Sequence, residues 1–250
     1  MAKSAPLAQL FFVHGRNLSG DVGSLSELLQ ERTTFNATGI SLSSRKRVIG
    51  RTSGAIAFDA FFNDASEKSF DSLKQLPSTD IIATWAVGSA AQDRAASVIG
   101  KQVNFALNRA SDGALGLESR DDSNAFPLEF GTMLTAGEDT HASATSSASV
   151  DGGAASSNGL SAYLNIVDIG SGTPTVVIEE SSDDGGGDAF ATLISFTAVA
   201  DTNEPTAERK TVTGTIERYL RITTTGTFTN LDFAVMIRRG TAVDIEGIIT

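Results

Sequence analysis

Apolar residues along this chain recur mainly at every second position, the spacing of a β-strand with one face buried. The stretch Ala55-Ile-Ala-Phe-Asp-Ala-Phe-Phe62 shows it most clearly, with Ile56, Phe58 and Ala60 on one side. Similar patterning predicts strands over Leu7–His14, Val22–Leu28, Ile81–Val87, Ser97–Arg109 and Ala114–Ser119, with Ser111-Asp-Gly113 as a turn. The period changes once. Phe70, Leu73 and Leu76 fall three residues apart, after cap-forming oxygens in Asn63-Asp-Ala-Ser66 and an acid, Glu67, where a first turn favours one. One helix ending at Pro77 is the expectation.

Near Thr135 the pattern stops. Residues 136–159 are small and polar, and read as a linker or edge segment in which Ala148–Asp151 would be a short strand. Beyond them, Leu160–Ile169, Thr175–Glu180, Phe190–Phe196, Lys210–Ile216, Tyr219–Thr224 and Leu231–Arg238 are strand-length runs rich in Val, Ile, Thr and Tyr, separated by Gly, Asp and Pro. Phe233, Val235 and Ile237 are the expected core of this part. The chain is therefore expected to be mainly β: an N-terminal β-sandwich or barrel with one flanking helix over 1–135, the polar segment 136–159, and an antiparallel β-sandwich over 160–250.

Charge divides the chain unevenly. The total is −11, but residues 1–133 hold 13 Lys/Arg against 14 Asp/Glu, and residues 134–250 hold 6 against 16. A balanced half suits burial against further copies of itself, and an acidic half suits a solvated exterior. Neither has the basic balance of a nucleic-acid-binding domain. The absence of cysteine removes disulfides, thiolate metal sites and thiol nucleophiles, and fits manufacture in a reducing cytosol. The opening apolar run is short and broken by Gln9, too short for a membrane span and a poor signal peptide.

Catalytic constellations do not emerge. His14 and His141 are far apart in sequence, and neither a Gly-x-Ser-x-Gly elbow nor a phosphate-binding Gly-rich loop occurs. The expectation is no enzyme activity, no cofactor and no metal. One acidic turn, Glu179-Glu-Ser-Ser-Asp-Asp-Gly-Gly-Gly-Asp188, offers Asp183, Asp184 and Asp188 as cation ligands, though its spacing matches no EF-hand and a solvated turn is the competing reading. The other outlier is basic: Arg45, Lys46, Arg47 and Arg51 lie within the polar stretch Arg32–Thr52. Three readings stand. It grips nucleic acid, which would call for stacking aromatics beside it; it is a solvated face; or it is an extended loop whose cations meet acidic groups on a neighbouring copy.

The order of features in residues 1–135 resembles the major tail tube proteins of long-tailed bacteriophages: a strand leading into Asn17-Leu-Ser-Gly-Asp-Val-Gly-Ser24, a strand ending at Glu27-Leu28, a long loop through Thr38-Gly39, then Thr52-Ser-Gly-Ala-Ile-Ala-Phe-Asp-Ala-Phe-Phe-Asn63, a short helix, and Leu128-Glu-Phe-Gly131. Farther along, Asn158-Gly-Leu-Ser-Ala-Tyr-Leu164, Thr175-Val-Val-Ile-Glu-Glu-Ser-Ser-Asp-Asp184 and Arg218-Tyr-Leu-Arg-Ile222 resemble the accessory β-sandwich that some of these proteins carry, departing at Gly185-Gly-Gly187. The resemblance implies a virion protein assembled in the bacterial host cytoplasm. Its partners would be copies of itself in hexameric rings stacked into a tube, and other tail proteins (tape measure, tail terminator, baseplate). Double-stranded DNA would pass through the lumen without sequence-specific binding, and no membrane would be involved. The alternative is a binding module whose second sandwich recognises host carbohydrate through Tyr163, Tyr219 or a Phe.

Overall fold

A computed structural model describes residues 9–41, 43–111 and 113–240. Along the chain run β1 (Leu10–Val13), β2 (Arg16–Asn17), β3 (Val22–Asn36), β4 (Arg47–Phe61), helix α1 (Ser69–Leu73), β5 (Ile81–Ala86), β6 (Arg94–Arg109), β7 (Leu115–Ser123) and β8 (Glu129–Met133). Then follow β9 (Asp139–His141), β10 (Val150–Asp151), β11 (Leu160–Gly172), β12 (Thr175–Ser181), β13 (Ala191–Ser195), β14 (Thr206–Val212), β15 (Tyr219–Thr225) and β16 (Phe228–Arg239). The protein is mainly β with antiparallel sheets, as the alternation predicts.

The compact units are not consecutive in sequence. One, the sandwich unit, takes the described residues of Met1–Ser19, Thr84–Ser97 and Glu129–Thr250; the other, the ribbon unit, takes Gly20–Ala83 and Val98–Leu128. Residues 136–159 lie inside the sandwich unit, where β9 pairs with β16 and β10 with β15. The expected strand within Ala148–Asp151 is β10.

In the sandwich unit, β11 lies between β14 and β16. The second sheet runs β10-β15-β12-β13. Register places Ala162, Leu164 and Ile166 opposite Ile237, Val235 and Phe233. Because side chains of a strand alternate, all six reach one face. They join Val176, Ile178, Leu220 and Ile222 of the second sheet in a single core. Phe233, Val235 and Ile237 are buried as expected. Two boundaries moved: the strand expected over Lys210–Ile216 is Thr206–Val212, and Ile216 instead bridges to Ser156. A tight approach also depends on one glycine. Gly15, at φ 87°, sits where a Cβ would come within 2.4 Å of the Ile166 carbonyl oxygen.

The ribbon unit is built on β3, β4, β7 and residues 98–109 of β6. Ile56, Phe58 and Ala60 are buried on one face of β4, with Leu117 of β7 and Leu73 of α1 also in the interior. The helix is shorter than its three-residue spacing implies. Glu67 and Leu76 both have positive φ, 61° and 44°, which no α-helix accommodates, and Leu76 is exposed. Ser66 is not the cap. Instead the Ser69 amide donates to Asp21 Oδ2 at 3.0 Å, and Gln102 Nε2 donates to the Leu73 carbonyl at 2.8 Å.

Candidate functional site

The polar stretch expected as a loop is mostly strand. β3 and β4 remain paired out to Asn36↔Arg47, so only residues 37–46 connect them. Asn36 Oδ1 accepts bonds from the Thr38 amide (3.1 Å) and Thr38 Oγ1 (2.6 Å), and the Ala37 amide donates to the Lys46 carbonyl at 2.8 Å. Arg45 and Lys46 lie in this stitched end, whereas Arg47 and Arg51 are on β4. Hydrogen bonding between backbones holds the ribbon, with neither face buried. That is why no alternation announced it.

β4 pairs with β7 only over Ala55–Phe61, so beyond Gly54 the two strands project with each other as partner among the described strands. The outer edge of β3 is likewise unpaired there. A long unpaired edge is a template for another chain. A bulge sets Gly50 and Arg51 against Thr33, and Phe35 lies over the bare Gly50, where a Cβ would come within 2.7 Å of its ring. Phe35, Ile40, Val48 and Ile49 are all exposed, Ile40 completely. Arg32, Arg45, Lys46, Arg47 and Arg51 make no ion pair among the described residues. The tip is thus cationic and apolar together. Phe35 supplies one aromatic beside the cations, which the local run of hydroxyls did not foretell, but its companions are aliphatic and fit a protein surface better than a row of bases.

The other predicted position is closed on itself. Asp183 accepts the amides of Gly187 (2.5 Å) and Asp188 (3.1 Å), Asp188 accepts the Ser182 amide (2.8 Å), and Asp184 accepts Ser149 Oγ (2.5 Å). Those backbone bonds hold the Asp183 and Asp188 carboxyls below the usual carboxylate range. Among the described residues no group of three or more His, Asp or Glu is placed to hold a metal ion.

Of the aromatics expected as sugar platforms, one is buried and two have an arginine beside the ring. Tyr163 is fully buried, Arg218 lies 4.9 Å from the Tyr219 ring, and Arg221 lies 4.0 Å from the Phe190 ring. His141 is buried, bonded to Thr224 Oγ1 (2.8 Å) and Ser147 Oγ (2.9 Å), and desolvation lowers its pKa. Burial, then Arg16, lowers that of His14 as well.

Two buried features carry no signal in the sequence. Glu129 of β8 accepts Arg209 Nη2 and Arg238 Nη1, both at 2.9 Å, and also the Tyr163 hydroxyl, tying four strands of the sandwich unit together. Asp121 of β7 is the opposite case, with both carboxylate oxygens buried and without a hydrogen-bond partner. Desolvation, then Asp122, pushes its pKa up to about 7.

No family model matches the chain, and no curated protein sequence matches it either. Among solved structures it is similar to the bacteriophage SPP1 Dit protein, described as a paradigm of the hub adsorption apparatus in phages infecting Gram-positive bacteria. That likeness has 13% identity and a TM-score of 0.34, over 93% of this chain and 100% of that one. It is also similar to chains from two structures of the phage p2 baseplate in its activated conformation. The one with Sr gives 7% identity and 0.34 over 93% and 99%; the one with Ca gives 8% and 0.33 over 94% and 99%. Likenesses at such identities and scores fix neither fold family nor activity. No described helix is long and apolar enough to cross a membrane.

Proposed function

We propose that this chain is a structural, non-enzymatic component of a bacteriophage tail, and more finely a tail tube subunit that assembles with copies of itself. The observation that carries the reading is the ribbon: unpaired edge, exposed apolar side chains and unneutralised cations gathered on one projection of a chain with net charge −11. A monomer gains nothing from such a surface, and a partner buries it. The sequence resemblance supplies the finer terms: hexameric rings, stacking, and a lumen through which double-stranded DNA passes. An inner wall poor in cations suits that passage, because each phosphate contact would retard it.

Electron microscopy of the purified protein tests the reading. Rings or tubes roughly 10 nm across, the scale of several domains of this size around a bore, are the expected outcome. A chain that stays monomeric at every concentration overturns it. Ribbon-dependent binding to duplex DNA by a chain that does not self-associate would transfer the site to nucleic acid.

A further inference from the structure

At the root of the ribbon lies an apolar depression of about 420 Å³, formed within the ribbon unit. Two glycines make room for it. Gly23 lets the Phe61 ring lie where a Cβ would be 3.1 Å away, and a Cβ on Gly116, opposite Phe61 in register, would meet nothing nearer than the Ala60 carbonyl oxygen at 3.8 Å. Phe61 and Leu115 stand open at 62% and 38% exposure. On the same face Asp59 and Glu118 are direct cross-strand partners. Like charges so placed repel. Each is bonded by a neutral donor, Ser24 Oγ and Asn108 Nδ2 respectively, both at 2.7 Å. Neither has an ion-pair partner among the described residues. Arg109 also lines the depression and leaves one negative charge in excess.

We infer that this depression receives the ribbon tip of a second copy, with Phe35, Val48 and Ile49 entering beside Phe61 and Leu115 while Arg45, Lys46, Arg47 and Arg51 meet Asp59 and Glu118. Each half lacks what the other offers: an apolar tip without cover and an apolar recess without contents, cations with no ion pair and two acids with no ion pair among the described residues. The chain's own tip cannot fill the recess. Gly23 and Phe35 lie toward opposite ends of one strand, about 40 Å apart at about 3.3 Å per residue. Tip and recess at opposite ends of a rod make a head-to-tail contact, which closes into a ring or extends as a fibre according to its rotation. The inference rests on the self-assembly reading and adds the acceptor.

The test uses two variants of the full chain. Gly116→Val fills the recess and leaves the tip intact; Phe35→Ser with Ile49→Ser spoils the tip and leaves the recess intact. Phe61→Ser, an exposed change, serves as a second recess variant should Gly116→Val fail to fold. Each alone raises the concentration needed for assembly by at least about tenfold, the effect of removing an interface anchor. Mixed, they form a complex of two chains that grows no further in sedimentation velocity, since one usable tip meets one usable recess. Assembly of both recess variants at wild-type concentrations, with the tip variant still defective, overturns the acceptor and leaves the self-assembly reading standing. A wild-type chain that never assembles removes both.

Discussion

The two units differ in how they satisfy a buried carboxylate and a cluster of charge. In the sandwich unit a buried carboxylate, Glu129, is surrounded by Arg209, Arg238, Tyr163 and Ser161, and half-buried acids such as Asp151 and Glu179 face Arg218 and Arg221. In the ribbon unit the buried carboxylate, Asp121, has no donor, and the cations of the tip have no acids. Those sandwich-unit carboxylates are matched within the chain, and the tip cations of the ribbon unit are not. Assembly surfaces are found where local satisfaction fails, because only a partner can then supply the missing contacts.

Charge reversal at the tip should produce the largest effect. Replacing Arg45, Lys46, Arg47 and Arg51 by Glu should abolish polymer growth seen by electron microscopy while circular dichroism stays unchanged. Normal polymers from that variant would erase the functional contrast between the units. Within the sandwich unit, Phe233→Ala removes a fully buried ring and should cost about 3–5 kcal/mol in chemical denaturation. Glu129→Ala removes the carboxylate shared by Arg209 and Arg238 and should cost about 3 kcal/mol, near the low end for breaking a buried pair. A negligible loss there would show that the network is not what completes this unit.

Asp121 sharpens the comparison through pH. Its folded pKa lies above the unfolded value, so between about pH 4 and 7 the folded state holds more protons than the unfolded one. Stability of the ribbon unit should therefore fall as pH rises through that window and level off above it. The size is on the order of a few kcal/mol. Asp121→Asn should flatten the profile, read by hydrogen exchange in β4 and β7; an unchanged slope would place the titration elsewhere. Smallest of all, Phe35→Ser alone should alter monomer stability by no more than about 0.5 kcal/mol, as for surface changes generally. A larger loss would mean that the ribbon folds around that ring.

Strands with one buried face were legible because burial writes a period of two into the residues. Ile56, Phe58 and Ala60, and Phe233, Val235 and Ile237, are core positions in both readings. The distal ribbon was not, since pairing by backbone bonds leaves no such period. Arg32–Thr52 therefore read as a loop although Arg32 pairs with Thr52 and Asn36 with Arg47. The helix was overextended because Leu76 keeps the spacing but not the backbone. The site divides in the same way. Arg45, Lys46, Arg47 and Arg51 stood out in sequence as uncompensated charge, while Phe35, the depression beside Gly116 and the orphan Asp121 did not.

What the sequence determined by itself is the β class, the membership of the cores and the location of unbalanced charge, each a property of residue type at short range. Only the tertiary structure decided that the units interleave along the chain, that the basic run ends a two-stranded ribbon, and that Glu129 is neutralised where Asp121 is not. Those outcomes depend on which distant strands become neighbours, and the donors for a buried carboxylate come from across the sheet.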